Sequence, residues 1–149
     1  FDPDRDAYFD AFDPRVKAIL ALSPPGPMFD TITEDSWNKL RLPTLATTGT
    51  WDVQKGFWPE YRMHLMSHER SKPGSQYALV VQGADHYLGN LICRPEREAT
   101  PQEDALAMVN SAAVAFLDAY LKGNDDALAY LTGESVARNT ANFAHLERR

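Results

Sequence analysis

The chain holds a single cysteine, Cys93. One thiol can neither close an internal disulfide nor build a cysteine-rich zinc site, although it does not fix the compartment. Cys93 also lacks a neighbouring base or helix N-terminus to activate it, so it reads as an inert thiol. Positive charge is scarce: 15 Lys and Arg stand against 21 Asp and Glu, for a formal net charge of -6, and the longest basic stretch is the Arg148-Arg149 pair. An acidic chain without a cationic face has little to offer a phosphate backbone, which argues against a nucleic-acid partner. No apolar run approaches the roughly 20 residues that cross a bilayer, so no membrane span is expected. No signal peptide is visible, but the chain begins at Phe1 rather than Met. A leader lost with a longer N-terminus is therefore an open expectation, as are a cytoplasmic and a secreted or periplasmic location.

What is present is the material of one globular domain: 149 residues, 44% of them hydrophobic and 24% charged, enough to bury a core. No internal repeat or low-complexity tract interrupts it. Residues 1–15 mix aspartate, proline and aromatics as an irregular lead-in. "VKAILAL", Val16 to Leu22, is an apolar run stopped by "SPPGP", as expected of a strand covered on both faces. A proline-rich connection with a helical turn near Glu34 to Leu40 leads to "LPTLATTG", Leu42 to Gly49, a second strand. Pro59 to Glu69 is helical in pattern, and Gln76 to Gly83, "QYALVVQG", is the third strand. Thr100 can cap a long helix with Pro101 in its first turn and Glu103 completing a capping box. Leu106, Val109, Ala113, Phe116 and Tyr120 then form its apolar stripe. Gly123 ends it, Asn124 caps a shorter helix ended by Gly133, and the tail is weakly helical.

Strands alternating with helices predict an α/β fold whose three strands are parallel, with flanking helices and a long C-terminal helix. In such sheets functional residues gather beyond the carboxyl ends of the strands. "TGTWD" places Asp52 after the second strand and "QGADH" places His86 after the third. Their separation, close to one βαβ unit, brings both to the same edge. A carboxylate that holds a histidine in the tautomer needed for general-base work requires these two residue types on adjacent loops. The plainer reading makes Asp52 a turn residue and His86 a surface histidine.

Asp85 is a poorer acid, expected to brace the turn or meet solvent. His64 and His68 share the i, i+4 spacing of zinc ligands, but "HLMSH" lacks the glutamate of H-E-x-x-H and a third ligand, so a partly exposed helix face is the simpler reading. Trp37, Trp51, Trp58 and Tyr87 stand near the predicted site edge, as pocket lining or as packing.

"DPRVKAILALSPPGP", "SWNKLRLPTLATTGTWD", "QYALVVQGADHYLGN" and "AFLDAYLKGNDDALAYL" together resemble the C-terminal half of an α/β-hydrolase, of the dienelactone hydrolase-like and platelet-activating-factor acetylhydrolase-like esterases. The resemblance covers about Asp13 to Leu131. It implies that residues 1–149 are the second half of one hydrolase domain, with Asp52 as the acid and His86 as the base of a Ser-His-Asp triad. It implies a serine esterase acting on a small or lipid-like carboxylic ester, with no metal and no organic cofactor. The departure is the nucleophile. No G-x-S-x-G occurs, and none of Ser23, Ser36, Ser67, Ser71, Ser75, Ser111 and Ser135 lies in an elbow. The missing N-terminal half is then the expected partner, and this chain alone is expected to be inactive. Substrate-binding residues are not identified. A non-catalytic α/β module or hydrolase remnant, associating through its sheet edge, is the alternative.

Overall fold

The computed structural model describes residues 13–27, 32–87 and 103–149. Cys93 and the helix start at Thr100 and Pro101 lie outside them. Four strands, β1 (Ile19–Leu22), β2 (Thr44–Gly49), β3 (Gln76–Val81) and β4 (Ala144–Arg148), form one sheet in the order β1-β2-β3-β4. The helices among the described residues are α1 (Met66–Arg70), α2 (Glu103–Lys122), α3 (Asp125–Thr132) and α4 (Ser135–Asn139), with 3-10 turns at Glu34–Trp37 and Tyr61–Leu65.

β1, β2 and β3 are parallel, as the sequence predicts, but β4 pairs antiparallel with β3 and makes the sheet mixed. The weakly helical tail is thus corrected: α4 occupies its start and a strand its end. The cause is tertiary. Ala144 and Leu146 join the core on one face of the sheet. On the other, the Glu147 carboxylate accepts two hydrogen bonds of 3.1 Å from Arg62, whose Nε donates to Glu69 at 2.8 Å. Local propensity over five residues is too weak to resist such pairing.

β2 and β3 are buried along their whole length. Alternation sends Leu45, Tyr77, Leu79 and Val81 against Val109, Ala112 and Phe116 of α2, while Ala46, Ala78 and Val80 meet Leu65 on the opposite face. Phe116 meets the Tyr77 ring edge-on at 6.0 Å, and the Tyr77 and Tyr120 hydroxyls share a 2.8 Å hydrogen bond. Asn124 caps α3 as predicted, its Oδ1 accepting the Ala127 N–H at 3.0 Å.

The expectation of no membrane span needs adjustment. α2, 20 residues with a mean hydropathy of 1.3 in its most apolar stretch, meets the requirement by length and composition. Its inner face nevertheless packs on the sheet, while Leu106, Val114 and Leu121 are exposed on its outer face.

β1 is the open edge among the described residues. The N–H groups of Ile19 and Ser23 donate to Pro43 and Thr47, each at 2.9 Å, which turns the peptide groups of Leu20 and Leu22 outward. Unpaired apolar edges recruit other strands. The chain is therefore expected to self-associate, with a mass by size-exclusion chromatography and light scattering that rises with concentration. Leu22→Lys, which charges the exposed end of that edge, should shift it toward monomer. A monomer at every concentration would show the edge to be inert.

Candidate active site

The site begins with two strands that end together. β2 and β3 are paired in register up to Gly49 and Val81, so the loops that follow leave the sheet side by side. Gly49 makes this possible: a Cβ there would lie 2.0 Å from the Ala84 carbonyl oxygen, far inside van der Waals contact. Three hydrogen bonds then join the loops: Thr50 N–H to Val81 carbonyl at 3.0 Å, Trp51 N–H to Ala84 carbonyl at 3.0 Å, and Gly83 N–H to the Thr50 hydroxyl at 2.8 Å.

On this frame the two predicted residues meet. His86 Nδ1 lies 2.9 Å from Asp52 Oδ1, the separation of a charge-assisted hydrogen bond. A carboxylate can only accept, so Nδ1 carries the proton and Nε2, on the far side of the ring, is the basic nitrogen. The second oxygen, Oδ2, accepts the Thr48 hydroxyl at 3.0 Å, and the Asp52 N–H donates to Gly49 at 2.9 Å. Asp52 is wholly buried, whereas the His86 side chain keeps 24% of its exposure.

Sequence reasoning missed a third member. His64, 1% exposed in the 3-10 turn, donates from Nδ1 to the Pro24 carbonyl at 2.8 Å and sets Nε2 3.1 Å from Asp52 Oδ1. That second contact counts as a charge contact rather than a hydrogen bond. Burial alone would raise the Asp52 pKa, but the contact and charge of His64, then those of His86, hold it below its ordinary 3.8. For His64, burial works downward and is outweighed by Asp52 and the Pro24 carbonyl, which raise its pKa above 6.5. Only the i+4 spacing to His68 drew notice in the sequence, and that spacing was misleading. His68 is buried with neither ring nitrogen hydrogen-bonded, and burial lowers its pKa.

Asp52, His64 and His86 place three donor atoms within 4.8 Å of one another, the composition of a two-histidine, one-carboxylate metal site. The 2.9 Å separation of Nδ1 from Oδ1 is that of a shared proton.

Aromatic rings enclose the histidines. Trp58 stacks on His86 with 13° between planes at 6.1 Å and tilts against His64 at 5.0 Å, and Tyr87 meets His86 edge-on at 5.2 Å. Trp51 is mostly exposed, and Trp37, on the first 3-10 turn, makes no ring contact with the site among the described residues. Asp85 braces the turn as expected, its Oδ1 accepting the Tyr87 N–H at 3.0 Å, but is buried rather than solvated.

Of the serines, Ser23 directly follows β1, with a left-handed φ of 43° and a buried hydroxyl that has no hydrogen-bond partner. It resembles an elbow only in strain. The next residue is Pro24, which has no N–H to stabilise an oxyanion. Comparisons with protein-family models, curated proteins and solved structures find no match to this chain.

Two outcomes follow. Gly49→Ala should cost about 3 kcal/mol or more by forcing the loops apart, read as a lower urea midpoint; an unchanged midpoint would show that the close approach does not matter. Asp52→Asn should cost about 3–5 kcal/mol by breaking a buried ion pair. The lowered Asp52 pKa contributes stability above 3.8 that is lost as pH falls through its folded value. The raised His64 pKa contributes stability below 6.5 that is lost as pH rises through its folded value. The difference between wild type and variant should therefore peak between these limits in urea melts; a difference flat across pH would show that the pair is not ionic.

Proposed function

We propose that Asp52 and His86 are the acid and base of a serine-type carboxylic ester hydrolase whose nucleophile lies in sequence outside this chain. The observation that carries this reading is the 2.9 Å contact between His86 Nδ1 and a fully buried Asp52. It fixes the ring in the tautomer that leaves Nε2 free to take a proton. The order acid then histidine, each after adjacent parallel strands, and the resemblance of these segments to the C-terminal half of dienelactone hydrolase-like esterases support it.

In the complete protein, His86 Nε2 takes the hydroxyl proton of a serine as its oxygen attacks the ester carbonyl. The tetrahedral adduct collapses, the C–O bond to the alcohol breaks, and His86 returns the proton to the departing alkoxide. Water then attacks the acyl-enzyme, giving its proton to His86, which passes it to the serine oxygen as the carboxylic acid leaves. Asp52 holds the ring and balances its transient positive charge. Trp58 and Tyr87 give the base an apolar wall suited to a small or lipid-like acyl or alcohol group. No metal or organic cofactor enters these steps.

The partner that completes the site is an N-terminal half bearing the nucleophile strand, paired on the open edge of β1. That same edge favours the second reading, a non-catalytic α/β module that associates through its sheet. A fluorophosphonate probe separates them. It should leave the 149-residue chain unmodified and label a longer parent once, at a serine, with labelling abolished by His86→Ala. Stoichiometric labelling of this chain would reveal an unrecognised nucleophile, and an unlabelled parent would favour the binding module.

A further inference from the structure

His64 is held more tightly than a packing residue needs to be. Its Nδ1 faces the Pro24 carbonyl at 2.8 Å, and a carbonyl can only accept, so Nδ1 carries a proton. Its Nε2 sits 3.1 Å from Asp52 Oδ1 with the ring 1% exposed. A neutral ring would then leave a bare lone pair beside a buried carboxylate, at a separation too short to admit a water between them. That is repulsive on both sides. With a proton on Nε2 as well, the ring becomes the counter-ion that an otherwise solvent-free Asp52 requires.

The cradle around this ring is built from three elements. Gly26 lets the 24–26 segment press against the 3-10 turn, since a Cβ there would lie 2.5 Å from the Met63 carbonyl oxygen. The left-handed Ser23, φ 43°, turns the chain at the end of β1 just ahead of Pro24. Strain of this kind persists where the surroundings over-determine it. Asp52 and His86 are the titratable groups that face the ring, from the loops after β2 and β3; the Pro24 carbonyl and the Trp58 ring are its neutral neighbours.

We infer that His64 is a positioning residue: an imidazolium, clamped between the Pro24 carbonyl and Asp52, that fixes the carboxylate for His86. Asp52 is then pinned at three points. Thr48 holds Oδ2, while His64 and His86 share Oδ1, so the carboxylate cannot rotate away from His86. The dyad becomes a cation, carboxylate and base in sequence, and β1, through Pro24, becomes part of the site that β2 and β3 carry. This role rests on the esterase reading, but its test needs neither nucleophile nor substrate.

The test is nitrogen-15 NMR of histidine-labelled protein, at whichever chain length is monomeric, with resonances assigned by single substitutions. His64 should keep protons on both ring nitrogens at a pH above the ordinary histidine value of about 6.5. His64→Gln should lose or broaden the low-field Nδ1 proton signal of His86 while the remaining spectrum stays folded. Asp52→Asn, a second variant, should strip the extra proton from His64, which a purely space-filling ring would not show. A His64 with Nε2 bare throughout would overturn the assignment. So would stoichiometric Zn²⁺ uptake that shifts both the His64 and His86 rings, since the cluster would then be a cation site. Failure of the parent to react with fluorophosphonate would remove the esterase reading and leave the charge state of His64 as measured.

Discussion

A carboxylate stripped of water is among the most expensive groups a fold can carry, and Asp52 is wholly buried. Everything at the carboxyl edge of the sheet is arranged around meeting that cost. The hydroxyl of Thr48 comes from the last turn of the pleat before the loop, His86 from the neighbouring strand, and His64 from a connection that crosses beneath. Each supplies what an ionised oxygen demands, a donor or a positive charge. Remove the carboxylate and these three side chains have no reason to converge.

The convergence also depends on the absence of a side chain. β2 and β3 are neighbours because their alternating residues bury both faces, but sheet pairing alone would let their loops splay. Gly49 lets the second loop rest on the first, backbone against backbone, and the hydrogen bonds between Thr50, Trp51, Gly83 and Ala84 then fix the distance from Asp52 to His86. The geometry of the pair is thus set by the main chain before any side chain adopts a rotamer. That is the kind of support the proposed acid–base pair would need, since pre-positioned groups need no further orientation.

Much of this was legible in the residues. The apolar runs bounded by proline and glycine contain β1, β2 and β3, although β1 takes only Ile19–Leu22 of its run and is not covered on both faces. Val109, Ala113 and Phe116 of the expected stripe lie on the inner face of α2 while Leu106 is exposed, and Asn124 caps α3. The Asp52 and His86 pairing followed from strand-end position and spacing. His64 did not, because its partner lies at Pro24, forty residues earlier, and nothing in "YRMHLMSH" distinguishes a ring turned into the site from one turned out. β4 escaped for a related reason. "AHLER" has no strong preference of its own, and its conformation is imposed by the free edge of β3 and by Arg62. Contacts that span the chain leave little trace in any local window.

β4 has a further consequence, for the order of assembly. Its register joins Val81 to Ala144 and Tyr77 to Arg148, with α2, α3 and α4 among the described residues in between. During synthesis, β3 can pair with β2 as soon as both have emerged, yet its other side stays uncovered until residues 144–148 leave the ribosome. Pairings that close long loops are slow, and a waiting strand edge invites wrong partners. The polar end of β4 and its bidentate hold on Arg62 then act as a latch: β3 is protected on that side only once β4 has been made and has docked.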